Sequence, residues 1–320
     1  MRTYQSKLAP YILSLIKEKQ ASGFSFMPQS YSLEVVDRFI IQNGYDSGTI
    51  TRELVTAFAK QRPTESLNSR NDRVSSLRQL AKYMNSLGLN VTLPGSFASG
   101  ERSIPYLPTN DELQTLFAVI DEYVPYQKKL ARFGLVYPVL FRLFYCCGLR
   151  LSEGCFLKTS CVDLNTGIIA IEHSKGRKDR LVYLADDVLD LCGRYNTVIR
   201  KIIPNRKWFF PGWDTQKPFS KTAIDLKFRQ FWSKVQSSSN MKRPTIHSLR
   251  HCFVMNKMDE WITEGCNIDV MMPYLSRYLG HASIQETYYY YHQMDSRSPA
   301  LRMHIEANGA AIPMVVPYEN

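Results

Sequence analysis

The chain has 320 residues, 44% hydrophobic and 12% aromatic, enough apolar material for two folded domains, which excludes a disordered class. Its 40 lysines and arginines against 29 acidic residues give a formal charge of +11, pointing to a polyanionic partner, nucleic acid before a membrane surface. No run approaches the roughly 18 apolar residues of a membrane span. Lys7, Lys17 and Lys19 flank an amphipathic stretch rather than the apolar region of a secretory signal, so a cytoplasmic protein is expected. The seven cysteines, an odd number, contain no C-x-x-C pair, which argues against a zinc site or a disulfide framework.

The first hundred residues read as helices. Leu8, Tyr11, Ile12, Leu15 and Ile16 share one helical face. Leu33, Val36, Phe39 and Ile40 repeat the pattern behind Ser32, and Gly44 stops that helix. A third face, Ile50, Leu54 and Phe58, ends at Pro63; a fourth, Val74, Leu77, Ala81 and Met84, ends at Gly88. Arg70, Arg73, Arg78 and Lys82 are expected on the exposed sides of the fourth helix, either as a solvated charged face or as contacts to DNA. Residues 89–106 lose all periodicity and carry Pro94, Gly95, Gly100 and Pro105, so a linker is placed at 93–106. A helical domain over 1–92 and a larger domain over 107–320 follow.

In the larger domain, Thr109 and Glu112 form a capping-box pattern ahead of Leu113, Leu116, Phe117 and Ile120. Residues 137–147 are apolar nearly all round and read as a buried helix closed at Gly148, which delivers Arg150 to the start of the next helix. Two β-branched runs, 167–172 and 180–184, flank a basic turn containing Lys175, Arg177 and Lys178 and predict a hairpin. The rest, including 223–235, is mainly helical. The fold class is therefore α+β: mainly α with one small antiparallel sheet.

One set of residues carries chemistry. Arg150 lies in Gly-Leu-Arg-Leu-Ser-Glu153; His247, Arg250 and His251 lie together; Leu279-Gly280-His281 follows; Tyr290 stands nine residues past His281 in a run of four tyrosines. Arginines clamp phosphate oxygens through forked, charge-assisted bonds. Histidines move protons near neutral pH, and an activated tyrosine hydroxyl is a covalent nucleophile. Each residue also has a plain structural use: Arg150 can pair with Glu153, a histidine can be a hydrogen-bonded core group, and tyrosines can be a packing stripe.

These elements, in this order, resemble the tyrosine recombinases, or phage-type integrases. The resemblance spans the chain and implies a helical core-binding domain ahead of a catalytic domain. It implies that Arg150 and Arg250 hold the scissile phosphate while Tyr290 attacks it to form a 3′-phosphotyrosyl link. Lys175 would protonate the leaving 5′-oxygen, His247 would assist proton transfer at the nucleophile, His281 would bond a phosphate oxygen, and Glu153 would orient its neighbours. Arg177 and Lys178 compete with Lys175 in the same turn, whose plain reading is a solvated basic hairpin that touches DNA phosphates. No metal, ATP or other cofactor is implied. The implied partners are double-stranded recombination sites, a homotetramer or a hetero-assembly with related recombinases, and an accessory DNA-bending protein, in a nucleoid-associated setting.

Two departures from the family pattern stand out. Gly154-Cys155 replaces the usual aliphatic pair, so local helix packing is expected to differ. The 29 residues between His251 and His281 exceed compact members and look like the transposon-borne branch. A tail from about 296 is expected to dock on a neighbouring protomer or on its own domain. The rival readings are a type IB topoisomerase and a catalytically silent DNA-binding regulator on the same fold.

Overall fold

The computed structural model describes residues 3–288, except 25, 98–99, 101–104, 173–178 and 236–242. Lys175, Arg177, Lys178, Tyr290 and the tail from 296 lie outside the described residues. The chain divides into two compact units, one up to Ser103 and one from Ile104 onward.

The first unit holds α1 (Ala9–Ala21), α2 (Met27–Gln42), α3 (Arg52–Ala59) and α4 (Leu67–Ser86). Their apolar faces meet in one core, with Ile12, Val36, Ile40, Leu54, Leu77 and Leu80 fully or almost fully buried. Asp37, itself buried, accepts from the backbone N–H groups of Gln5 at 2.8 Å and Ser6 at 3.0 Å, which ties the approach to α1 onto α2. Thr51 caps α3 by accepting from Leu54 N at 3.2 Å, and Ser66 caps α4 by accepting from Ser69 N at 3.1 Å.

Two expectations are corrected here. Helix α2 does not begin behind Ser32: it starts at Met27, because Pro28 fits the first helical turn and Ser32 Oγ bonds back to Pro28 O. The arginines of α4 are not on exposed sides. Arg73 forks onto Glu65 (Nε–Oε1 2.7 Å, Nη2–Oε2 2.6 Å) and also donates to the carbonyls of Phe58 and Lys60. That pairing holds the Glu65 carboxyl down at about 2, against the cost of burying it. Arg70 donates to Ala59 O at 2.7 Å and stacks on Phe97, and Arg78 donates to the carbonyls of Pro94 and Gly95. Asn71 exchanges two bonds with the Phe97 backbone, so the strip 94–97 lies along α4. Lys82 alone of the four is exposed.

The second unit is built around α6 (Phe133–Cys146), in which Val136, Leu140, Phe141, Leu143 and Phe144 are buried. Packed on it are α5 (Asn110–Asp121), α7 (Leu151–Cys155), α8 (Asp186–Ile202) and α10 (Ile246–Thr263); α9 (Lys221–Trp232) packs on α5 and α7, and α11 (Ile268–Leu279) packs on α10. The Thr109–Glu112 box forms as read: Glu112 N donates to Thr109 Oγ1 at 3.2 Å and Thr109 N donates to Glu112 Oε2 at 2.8 Å. The predicted hairpin is β2 (Ile168–Ile171) against β3 (Arg180–Tyr183), antiparallel, with Ile171 opposite Arg180. A short strand unmarked in the sequence, β1 (Val162–Asp163), completes a sheet of order β1-β2-β3. Among the described residues the chain is thus mainly α with one small antiparallel sheet, as expected.

All seven cysteines are free thiols and five are buried. Burial pushes the thiols of Cys155 and Cys192 up to about 12, which makes them packing groups rather than nucleophiles. No helix among the described residues is long and apolar enough to cross a membrane.

Gly154 accounts for the first departure from the pattern. A Cβ there would strike the Phe144 ring and come within 3.1 Å of Leu140, so α7 lies on α6 at a distance only glycine allows. Gly154→Ala is expected to cost about 1–3 kcal/mol by overpacking. Denaturant unfolding of the purified variant checks this; an unchanged midpoint would mean that α7 can lift off α6 freely.

Candidate active site

Of the six catalytic candidates, Arg150, His247, Arg250 and His281 are described; Arg150 and Arg250 meet at the C-terminal end of α11, His281 follows that end, and His247 lies close enough to feel both arginine charges. The last carbonyls of a helix have no partners inside it and carry its partial negative charge, so cations gather there. Here three arginines from distant segments do so. Arg250 Nη2 donates to Leu279 O at 2.8 Å, Arg150 Nη2 to Gly280 O at 2.8 Å, and Arg180 Nε to Tyr278 O at 2.7 Å. Arg250 Nη1 also donates to Gly148 O at 2.6 Å, where α6 has ended and the chain turns toward Arg150. Two arginines 100 positions apart are thus fixed against one helix end.

Gly280 makes the approach feasible. It ends α11 in the left-handed conformation (φ +65°), and a Cβ on it would lie 3.2 Å from Arg180 Nη1 and 3.5 Å from Arg150 Nη1. A side chain at 280 would be strained by its backbone and crowded by two guanidiniums.

Arg150 is the N-cap residue of α7. Glu153 accepts from its backbone N at 2.8 Å and from its Nη1 at 2.9 Å, so the plain pairing read from the sequence does form. Glu153 also receives a fork from Arg180, Nη1–Oε1 2.8 Å and Nη2–Oε2 2.8 Å. Burial would raise the Glu153 carboxyl, but the bonds and charge of Arg180, followed by the bonds from Arg150, outweigh it and hold the group at about 2. Glu153 therefore stays ionised and locks Arg150 to the root of β3. Arg180 carried no role in the sequence reading; its only mark was its place at the end of the basic turn.

Removing that carboxylate has a defined consequence. Glu153→Gln leaves the nearly buried Arg180 and the half-buried Arg150 guanidinium without their anion, and the expected loss is about 3–5 kcal/mol. The folded value lies below the ordinary 4.5, so the stabilisation is complete above that pH and is lost as pH falls toward about 2. Urea unfolding of both proteins from pH 7 to pH 2 should show a gap that closes across that window. A gap constant with pH would refute the ion pair.

The histidines flank the arginines. His247 and Arg250 occupy the first turns of α10, whose N-terminus is closed by the Thr245–Ser248 box and favours an anion. His247 is exposed and its ring meets His251 edge-on at 4.5 Å between centroids. His281 is buried, with Nε2 3.0 Å from Arg250 Nη2 and Nδ1 2.7 Å from Thr287 Oγ1. Desolvation, then the arginine charges, push His247 down to about 4. The same causes, in the same order, push His281 down to about 3. His251, desolvated and beside His247 and Arg250, falls to about 3. Desolvation and the neighbouring positive charges thus oppose protonation of all three and favour the neutral imidazoles. Among the described residues no cluster of histidine, cysteine or carboxylate side chains is arranged to hold a metal.

Of the four tyrosines, Tyr288 is described. It packs on the core and its hydroxyl lies 3.3 Å from Asp269 Oδ1. Burial, and then the Asp269 charge, raise the phenol. A nucleophile needs the opposite shift.

Residues 108–297 match the phage integrase family. A tyrosine recombinase of Thermosipho africanus is 26% identical over 270 residues, covering 81% of this chain and 86% of its own. Among solved structures, the Tn1549 transposon integrase in complex with transposon right end DNA superposes with a TM-score of 0.65 at 16% identity, covering 93% of this chain and 98% of the other. The lambda integrase tetramer bound to a Holliday junction gives 0.60 at 15% identity over 88% and 76% of the two chains.

Proposed function

Because the chain belongs to the phage integrase family, the tyrosine recombinases, we propose that it performs site-specific DNA recombination by attack of Tyr290 on a backbone phosphodiester. The observation that carries this reading is the convergence of Arg150 and Arg250 on the carbonyls that end α11, with the His281 ring against Arg250. Two guanidiniums and a neutral imidazole make a donor set matched to a phosphate whose equatorial oxygens gain charge in the transition state.

In the first step the Tyr290 oxygen bonds to phosphorus and the bond to the 5′-oxygen breaks. The phenolic proton passes to His247, which is neutral and open to solvent. Lys175 gives the leaving oxygen its proton, and a 3′-phosphotyrosyl link and a 5′-hydroxyl result. The link keeps the energy of the broken ester, so attack by a second 5′-hydroxyl rejoins DNA without ATP. Arg250 keeps its bonds to Gly148 and Leu279 while its contact with His281 is exchanged for a phosphate oxygen. Glu153 and Arg180 hold Arg150 in place.

The partner in this reading is duplex DNA at two recombination sites, held by four copies of the chain, as the lambda integrase tetramer holds a Holliday junction. Integration or transposition of a mobile element is the role favoured by the superposition on a transposon integrase. Contacts of the first unit to DNA fall to Lys82 rather than to Arg70, Arg73 and Arg78, whose guanidiniums are engaged within the chain. Arg177 and Lys178 supplement Lys175 on the hairpin.

The test uses the full chain and a duplex enriched by binding from a randomised pool. With a nick placed to trap the cleaved state, a covalent adduct surviving SDS is expected, together with a freed 5′-hydroxyl strand. Tight binding with neither adduct nor strand transfer would overturn the proposal in favour of a silent regulator. Relaxation of plasmids without exchange between two enriched sites would favour a topoisomerase.

A further inference from the structure

Thr287 is fully buried, three residues before Tyr290, and takes no part in the scheme above. Its backbone N donates to Ile284 O at 2.8 Å, in a helical turn leading toward the nucleophile. Its hydroxyl lies 2.7 Å from His281 Nδ1. On the other side of the ring, Arg250 Nη2 lies 3.0 Å from Nε2. A guanidinium can only donate, so Nε2 must accept, and the ring proton must sit on Nδ1 and be donated to Thr287 Oγ1. That is the wrong tautomer for bonding a phosphate oxygen, which needs a proton on Nε2.

A hydroxyl, unlike a carbonyl or a carboxylate, can accept from Nδ1–H or donate to a bare Nδ1 by rotating about one bond. We propose that Thr287 is a positioning residue that holds His281 as the Nδ1–H tautomer without phosphate and, by reversing its hydrogen bond, lets Nε2–H form when an anion takes over the Arg250 contact to His281. The inference rests on the phosphate-binding role given to His281 above. It adds that the switch belongs to Thr287, so that loading of phosphate and tautomer exchange are linked. A carboxylate in its place would only accept and would stabilise the Nδ1–H tautomer alone; an apolar side chain would strand a buried ring nitrogen in both.

The experiment is nitrogen NMR of the full chain carrying labelled histidine, with the His281 signals identified by their loss in His281→Asn, and inorganic phosphate as the probe. Without phosphate, the wild type should show Nδ1 protonated and Nε2 bare; saturating phosphate should move the proton to Nε2. Thr287→Ser keeps the hydroxyl and should behave alike. Thr287→Val should lose the phosphate-driven exchange and cleave the enriched duplex about ten- to a hundredfold more slowly, with duplex binding kept. A bare Nδ1 in the phosphate-free wild type would overturn the proposal, as would an unchanged response in Thr287→Val. If the valine variant fails to fold, the wild-type and serine spectra decide alone. Because the phosphate-free spectrum needs no DNA, a protein that never forms an adduct would sink the recombinase reading while leaving the tautomer result intact.

Discussion

Arg250→Ala should cut adduct formation on the enriched duplex by about a thousandfold, the scale of losing a preorganised donor to a developing phosphate charge. Among the described residues Arg250 is the largest side chain with no exposed surface, and its fork spans Gly148 O, Leu279 O and His281 Nε2. The alanine variant also strands two buried carbonyls, at about 1–3 kcal/mol each, so part of its loss will be structural. Arg250→Lys separates the two effects. A lysine keeps the charge but cannot span both carbonyls and a phosphate oxygen, because its ammonium is a point rather than a fork. It should fold and bind duplex, yet still cleave at least about tenfold below wild type. A lysine variant cleaving at the wild-type rate, measured in single-turnover assays with melting as control, would remove Arg250 from the phosphate.

Tyr290→Phe should abolish the adduct altogether, whereas Tyr288→Phe should leave it. The physical distinction lies in the neighbours. Burial opposes ionisation of the Tyr288 phenol, and the charge of Asp269, to which its hydroxyl is bonded, adds to the effect. It is therefore a packing residue with a satisfied hydroxyl, and its loss should cost only about 1 kcal/mol of stability. Denaturing gels of the two variants beside wild type, with binding measured in parallel, make the comparison. Loss of the adduct in Tyr288→Phe with retention in Tyr290→Phe would reverse the assignment.

Much of the second unit was legible in the sequence because its cues are local. The Thr109 cap, the apolar run of α6 and the paired β-branched segments of β2 and β3 each announce themselves within about a dozen residues. Arg150, Arg250 and His281 were legible for a different reason: their motifs resemble a family, and the fold then places them on one helix end. What escaped the sequence depends on contacts between distant positions. Nothing near Arg180 says that its guanidinium will cross to Glu153 and Tyr278. Thr287 has no local mark at all; its meaning comes from a ring six residues upstream and an arginine beyond it. The arginines of α4 show the converse error. Charge at helical spacing reads as a solvated or DNA-facing surface, but guanidiniums also bond carbonyls that have no other partner. Arg70, Arg73 and Arg78 do so at the end of α3, the following loop and the strip 94–97.

Gly154 and β1 belong to a third kind. A glycine in a helix looks like a weak point until the Phe144 ring beneath it is seen. A two-residue strand such as Val162–Asp163 is too short to show any period, and it exists because Ile168 and Ile169 offer it an edge.

The proposed chemistry requires a covalent bond between DNA and one side chain. Digesting the SDS-resistant adduct with trypsin and nuclease, then fragmenting the nucleotide-bearing peptide by mass spectrometry, locates that bond. The remnant should sit on Tyr290 within the peptide of residues 278–297, joined through a 3′-phosphate. A remnant on any other residue, or linkage through a 5′-phosphate, would contradict the proposed chemistry.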